Sequence, residues 1–588
     1  MKRCPECRRD YFDDTLLYCL EDGTALVQGS VPSPDEPQTA ILSETGAEAT
    51  GSHDAEAQTR PHIPTTDQTA ILRTGIEAEP QESLGGLSEK QSSSTNRAPE
   101  PLAALMVAAV ILVGGFFGYR YFKPATSEQI NSIAVLPFEN RSGNADTDYL
   151  SDGLADSLIY RLSQLPNLKV SPTSSVMRYR GKETDVAQIA TELKVDAVMF
   201  GRLVQRGDDL SISVQLIDSR TEKVIWAEQY DRKMADLLAT QREIATTITQ
   251  KLQLKLAGDE RGITKKYTDS NEAYQLYLKG RYYFARRTKD EVIKAIQSYE
   301  QAIELDPNFA LAYARIAEAY NQMPAYPYSP PQEAFPKAKA AAKRALEIDP
   351  NLSEAHTALG NTLAAYDWNW AEAEREFRRA IELDPKSATA HFRYGQLYLG
   401  SSGRVPEAIA EMDRGLDSEP LDINMVATKA WWMAAIGQRD QAFALAKNGL
   451  DLDPNHPVAR NVLAQIYIFR GQSAEALTFI EQNRQPPANR QWELQGLGVA
   501  YAKLGRREDA AKVIDEFKAL SKTQYVMSYY VAAIYASLGD RENAFAELAK
   551  AVDARDWRLM WLKSDPFFDS IRDDPRYAGL LKRMGLPE

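Results

Sequence analysis

The sequence predicts a multidomain protein: a small α/β domain with a mixed sheet, followed by an all-α superhelix of repeated helix pairs. One transmembrane helix and a disordered linker precede them. Three observations predict this class. Small residues recur every 34 residues through the C-terminal half, apolar strand-like runs alternate with helical spacing over 131–257, and one run of eighteen residues carries no charge. At roughly 100–200 residues per domain, a chain of 588 residues holds several domains. With 44% hydrophobic residues and a mean hydropathy of −0.42, it is not collagen-like, polytopic or wholly disordered. Three cysteines cannot build a disulfide scaffold. A pI near 5.2 argues against nucleic acid as the main partner, because phosphate binding needs a basic surface.

Residues 1–27 hold all three cysteines, Cys4, Cys7 and Cys19. A C-x-x-C turn presents two thiolates to one metal, and a third cysteine can close a hairpin around it. This stretch resembles the bacterial zinc-ribbon motif, whose second C-x-x-C supplies the last two ligands. Here the fourth position is Asp22, so zinc on three cysteines and a degenerate ribbon both stay open. Residues 28–100 are rich in Ser, Thr, Glu, Gln, Pro and Gly, without periodicity, and cannot bury enough apolar area to offset their ordering entropy. Of the formal net charge of −13, residues 1–100 carry −10. The phrase QTAIL occurs twice in the linker, around Thr39 and Thr69, as a modification or docking motif or as a trace of local duplication.

LAALMVAAVILVGGFFGY, residues 102–119 of a span reaching 122, would cross about 27 Å as a helix. Gly114 and Gly118 offer a small-residue face on which two copies could form a homodimer. The reading that follows is a single-pass bacterial inner-membrane protein with a cytoplasmic N-terminus, where thiolates survive, and extracytoplasmic C-terminal domains.

From 131 to 257, an apolar strand at 132–138 leads into a helix marked by Leu150, Leu154, Leu158 and Leu162. A short strand, a second helix, three alternating strands and a long helix follow. The phrases IAVLPFENRSG, YLSDGLADSLIYRL and VDAVMFGRLVQRGDDLSISVQLIDSRTEKVIWAEQYDR resemble the TolB amino-terminal/FlgO-like domain. The resemblance implies a module that commonly sits between a membrane span and tetratricopeptide repeats. Asp146, Asp148 and Asp152 gather where the first strand feeds the first helix, as a cation site or as helix-capping acids.

Gly403, Gly437, Gly471, Gly505 and Gly539 stand 34 residues apart, as do Ala408, Ala442, Ala476, Ala510 and Ala544. Pro307, Pro350, Pro385, Pro420 and Pro454 close phrases such as ELDPN. This is the tetratricopeptide (TPR) signature, with about eight units over 271–558. Two units depart from it: the first has a longer turn at 286–291, and the second inserts PAYPYSPP at 324–331. Residues 559–588 read as a capping segment over the last repeat. Repeat register places Phe392, Trp431, Trp492 and Tyr529 on the concave face, as partner-groove candidates or as packing between repeats. Trp431 and Trp432 point about 100° apart on a helix, so one core layer cannot hold both.

With no catalytic motif in the chain and no histidine between 131 and 257, the sequence indicates a non-catalytic, membrane-anchored TPR scaffold or sensor. Its partner would be a protein or peptide in the groove, outside the cytoplasm. The alternative is a transcription or signalling regulator acting through the zinc-ribbon-like end or a dedicated kinase partner.

Overall fold

A computed structural model describes residues 2–3, 10–11, 27–28, 130–144, 147–165, 167–182, 185–252, 265–484 and 489–586. The chain divides into two compact units, 1–108 and 109–588. In the first, β1 (Lys2–Arg3) pairs antiparallel with both β2 (Asp10–Tyr11) and β3 (Val27–Gln28). Cys4, Cys7, Cys19, Thr39 and Thr69 lie outside the described residues. So does the span 102–122, and no helix among the described residues is long and apolar enough to cross a membrane. That finding corrects the expected transmembrane helix and the inner-membrane location built on it.

In the second unit, the mixed sheet is built on β4 (Ser132–Val135), β5 (Glu139–Asn140), β6 (Lys169–Val170), β7 (Ala197–Arg206), β8 (Asp209–Asp218) and β9 (Lys223–Lys233). The order is β6-β4-β7-β8-β9, with β5 also on β7. The β4, β5 and β6 pairings are parallel, and β7-β8-β9 is an antiparallel meander. β4 is buried along its whole length, which explains its unbroken apolar run. Its helices are α1 (Asp148–Ser163), α2 (Thr173–Val176), α3 (Val186–Leu193) and α4 (Leu237–Lys251).

Helix α1 is buried nearly all round. Its apolar stripe of Leu150, Leu154, Leu158 and Leu162 joins the domain core. It also carries Asp152, Asp156, Ser157 and Arg161, polar side chains that are buried as well. Each of these side chains has a partner: Asp156 holds Arg281, Tyr274 Oη donates to Ser157 at 2.6 Å, and Arg161 donates to the Lys265 carbonyl at 3.0 Å.

The repeats form eight antiparallel helix pairs. They begin with α5 (Asn271–Phe284) and α6 (Lys289–Leu305), α7 (Ala310–Ala325) and α8 (Pro331–Ile348), α9 (Ser353–Thr362) and α10 (Trp370–Leu383), and α11 (Ala388–Arg393) and α12 (Val405–Ser418). They continue with α13 (Ile423–Ala435) and α14 (Arg439–Leu452), α15 (Pro457–Phe469) and α16 (Ser473–Gln482), α17 (Arg490–Lys503) and α18 (Arg507–Leu520), and α19 (Ser528–Leu538) and α20 (Arg541–Asp553). The periodic sequence marks have direct structural causes. Each alanine of the 34-residue series is fully buried at a helix crossing, where a larger side chain would force the helices apart at about 1–3 kcal/mol. Each glycine of the parallel series turns the chain between paired helices at φ +75° to +92°, a left-handed conformation that glycine adopts freely.

The C-terminal segment does more than cap. Short turns at Trp557–Ser564 and Pro566–Ile571 and helix α21 (Pro575–Arg583) cover the last repeat and reach back to earlier ones. Tyr529 Oη donates to Asp565 at 2.7 Å, and Phe568 packs edge-on to the Tyr529 ring. Trp561 stacks on Trp431 at 4.6 Å, and Trp370 Nε1 donates to the Met584 carbonyl at 2.7 Å. Both Trp431 and Trp432 are fully buried. Trp432 fills the space left by Gly400, while Trp431 meets the returning segment, which supplies a second core layer.

Candidate functional site

The α/β domain docks along the repeats rather than beside them. Gly153 of α1 lets the backbone approach Leu278 of α5 so closely that a Cβ there would stand 2.9 Å from the leucine Cβ. Farther along, Lys386 Nζ donates to the carbonyls of Leu165 (2.9 Å) and Leu168, at the start of the fourth repeat. Ser174, in α2, donates to Glu419 at 3.1 Å, at the turn into the fifth. Between these contacts the domain roofs a cavity of about 1220 Å³. That exceeds the roughly 300–1,000 Å³ of ordinary small-molecule sites.

Charge dominates its walls. From the α/β domain come Asp152, Asp156 and Arg180, and from the repeats Arg281, Arg286, Arg287, Arg315 and Arg393. Opposite them stand Glu419, Asp422, Asp453 and His456. Most of the arginines are paired. Arg180 bridges Asp148 at 2.8 Å and Asp152 at 3.3 Å, Arg281 holds Asp156, Arg286 reaches Glu291 at 3.6 Å, and Arg315 holds Glu318 at 2.7 Å. The acids at the start of α1 therefore serve as an ion-pair ladder at the domain–repeat seam. Asp148 binds Asn140 Nδ2 and Arg180, and Asp146 lies outside the described residues.

Burial pushes the Asp152 carboxyl up to about 6, with Asp148 and Asp156 adding to the rise and Arg180 and Arg286 opposing it. Burial and the neighbouring Asp422 carry Glu419 up to about 7. Burial, then the Arg287 charge, takes His456 down to about 4, so it is neutral and its Nδ1 accepts the Ala459 N–H as a helix cap. Tyr299 Oη, Asn361 Oδ1 and Asn489 Oδ1 are buried in the lining without a hydrogen-bond partner among the described residues.

The four aromatic groove candidates lie elsewhere. Phe392, Trp431, Trp492 and Tyr529 are all buried. Trp431 is covered by Trp561 and donates to Gln465 at 2.7 Å. Trp492 meets the Tyr326 ring at 5.3 Å, and Tyr529 is held by Asp565. Trp431 and Tyr529 pack against the chain's own C-terminal segment, and Trp492 against the second-repeat insertion. The arginines were missed, since single charged residues at irregular spacing leave no periodic trace. The available signal was the pair of departures from the repeat, at 286–291 and 324–331. Among the described residues no His, Cys, Asp and Glu side chains are grouped to hold a metal.

Comparison with known proteins sorts the chain in the same way. The HilA/YgeH-like transcriptional regulator second-domain family matches residues 128–251, the stretch that holds the α/β domain. Tetratricopeptide repeat families match 289–323, 369–431 and 434–493. The chain is similar to "Putative adenylate cyclase 3" of Rhizobium meliloti (strain 1021), 34% identical over 187 residues, covering 32% of this chain and 32% of that protein. It is also similar to "Transcriptional regulator HilA" of Salmonella typhimurium, 25% identical over 257 residues, covering 41% and 44%. The chain thus spans less than half the length of either relative. A solved structure of PilW, a widely conserved type IV pilus biogenesis factor, is 21% identical, covers 36% of this chain and 95% of that one, and has a TM-score of 0.29, too low for any inference. The repeats are tetratricopeptide repeats, an architecture of protein-interaction scaffolds.

Proposed function

We propose that residues 130–586 act as one regulatory, non-catalytic binding module, which takes a segment of a protein partner into the cavity between the α/β domain and the repeats. The observation that carries this reading is the roofed, charged cavity, with both the docked domain and the repeats in its walls. A ligand there touches both parts at once, so binding shifts the docking equilibrium by its differential affinity for the docked state. The relatives add support: a transcriptional regulator and a putative adenylate cyclase differ in output yet both resemble this chain. A shared input module accounts for that.

At the other end, zinc on Cys4, Cys7 and Cys19 belongs to the same reading. The paired strands Lys2–Arg3 and Asp10–Tyr11 flank Cys4 and Cys7 in the sequence, and a C-x-x-C presents two thiolates to one metal. Zinc would supply a structural cross-link there. Metal content of the purified chain, unchanged by Cys4→Ser, would remove it.

The module is tested by placing a photo-crosslinking residue at Ser174, on the cavity wall, and at Lys447, on the outer helix α14. An adduct from Ser174 with none from Lys447 supports the reading. Equal adducts from both positions, or none from Ser174, refute it.

A further inference from the structure

Two arginines of the cavity stand apart from the rest. Arg287 and Arg393 both line it, and neither makes an ion pair among the described residues, whereas their neighbours Arg180, Arg281, Arg286 and Arg315 each hold a carboxylate. The polar contact of the Arg393 side chain is with a neutral group, Gln396 Oε1, at 2.9 Å. Burial lowers the Arg393 pKa and the charge of Arg287 lowers it further, against the pull of Glu318. Arg287 is exposed and Arg393 half-buried, so both guanidinium groups are open to an incoming anion.

Both departures from the repeat pattern exist around this pair. The long first-repeat turn delivers Arg287 in a left-handed backbone conformation, φ +55°, uncommon for a residue with a side chain. The second-repeat insertion delivers Tyr328, whose hydroxyl donates to the Arg287 carbonyl at 2.8 Å, and Tyr326, which stacks on Tyr328. Strain held in place by a dedicated insertion is the pattern of a built site rather than a loose turn. Tyr299 in the same lining is about 1% exposed with an unpartnered hydroxyl, a further donor for an incoming acceptor. Among the acids of the cavity, Asp422 and Glu318 act on both arginines. Glu419 is held partly protonated near neutrality by its burial and is already engaged by Ser174.

We propose that the cavity recognises an acidic peptide segment, with one of its carboxylates seated between Arg287 and Arg393. This rests on the cavity being the partner site, and it names the chemistry of the partner. A guanidinium pair accepts a carboxylate through parallel charge-assisted N–H donors. The size of the cavity suits a peptide better than a lone small anion.

The test is calorimetric titration of the full chain at low salt with a terminally blocked oligoglutamate peptide, the matching oligoglutamine peptide, and inorganic phosphate. Oligoglutamate is expected to bind, and oligoglutamine and phosphate are not. Arg287→Gln and Arg393→Gln should each weaken oligoglutamate binding by about tenfold or more. Arg393→Lys should lose less than Arg393→Gln, and Glu419→Gln should tighten binding. Circular dichroism melts identify any variant that fails to fold, and Glu419→Gln then carries the test because it predicts a gain. The proposal is overturned by no oligoglutamate binding, by binding indifferent to all four substitutions, or by phosphate binding as tightly as the peptide. If Ser174 still crosslinks a partner while oligoglutamate fails, the acidic-segment proposal falls and the cavity reading stands; if both fail, both fall.

Discussion

Gly153→Val probes the seam on which the cavity depends. At position 153 a Cβ would stand 2.9 Å from Leu278 Cβ and 3.1 and 3.2 Å from its two Cδ atoms. Carbon atoms at rest sit about 3.5–4.0 Å apart, so α1 and α5 must separate by several tenths of an ångström. Overpacking of this kind costs about 1–3 kcal/mol. Valine is a somewhat better helix former than glycine, so α1 itself is not weakened. The cost therefore falls on docking and leaves both parts folded. Two measurements read it. Scanning calorimetry should show the melt of the wild-type module broaden or split, and limited proteolysis should cleave faster between 252 and 265. Leu278→Ala alone should cost about 2–5 kcal/mol as a cavity. Combined with Gly153→Val it should cost less than the sum, because the new methyl groups fill the space. A Gly153→Val protein with unchanged melt and cleavage, or a double mutant with strictly additive losses, would refute the close approach of α1 to α5.

Other outcomes follow from the same structure. Trp561→Ala should cost about 3–5 kcal/mol in urea denaturation, because it removes a buried ring stacked on Trp431 and crossed by Arg558 at 3.7 Å; a loss under about 1 kcal/mol would place the returning segment outside the core. Gly471→Ala should lower stability by about 1–2 kcal/mol although no atom lies within 4 Å of the added Cβ, since φ is +78° and the cost is conformational. Burial pushes Asp556 up to about 7, against hydrogen bonds from Tyr525 and the Tyr529 N–H that lower it. The folded state therefore binds this proton more tightly than the unfolded chain. Its contribution is full below about pH 4 and is lost as pH rises through about 7. Asp556→Asn should flatten the fall in urea midpoint between about pH 4 and pH 7. The flattening is partial, because Glu419 and Asp152 titrate with the same sign, and an unchanged slope would contradict the shift.

What the sequence disclosed was what repeats. Gly403 through Gly539 and Ala408 through Ala544 mark positions where one backbone angle or one helix crossing admits a single solution, so their period survives in the residues themselves. The run of β4 was legible for the same reason, being buried throughout. Long-range pairings leave no such trace. Asp156 meets Arg281 and Lys386 meets Leu165 across more than a hundred residues, and neither partner announces the other. For the aromatic candidates the sequence left groove and packing both open, because no pattern says that Trp561 returns to cover Trp431. The interruptions at 286–291 and 324–331 held the most specific information, since both converge on Arg287.

The central claim is that a partner segment binds beneath the docked domain. Hydrogen–deuterium exchange on the full chain, with and without the partner captured at Ser174, tests it most directly. The account predicts that protection concentrates in residues 173–180, 286–291 and 419–424, the three stretches that meet at the cavity. Protection confined to the outer helices, such as α14, with those three stretches unchanged, would contradict it.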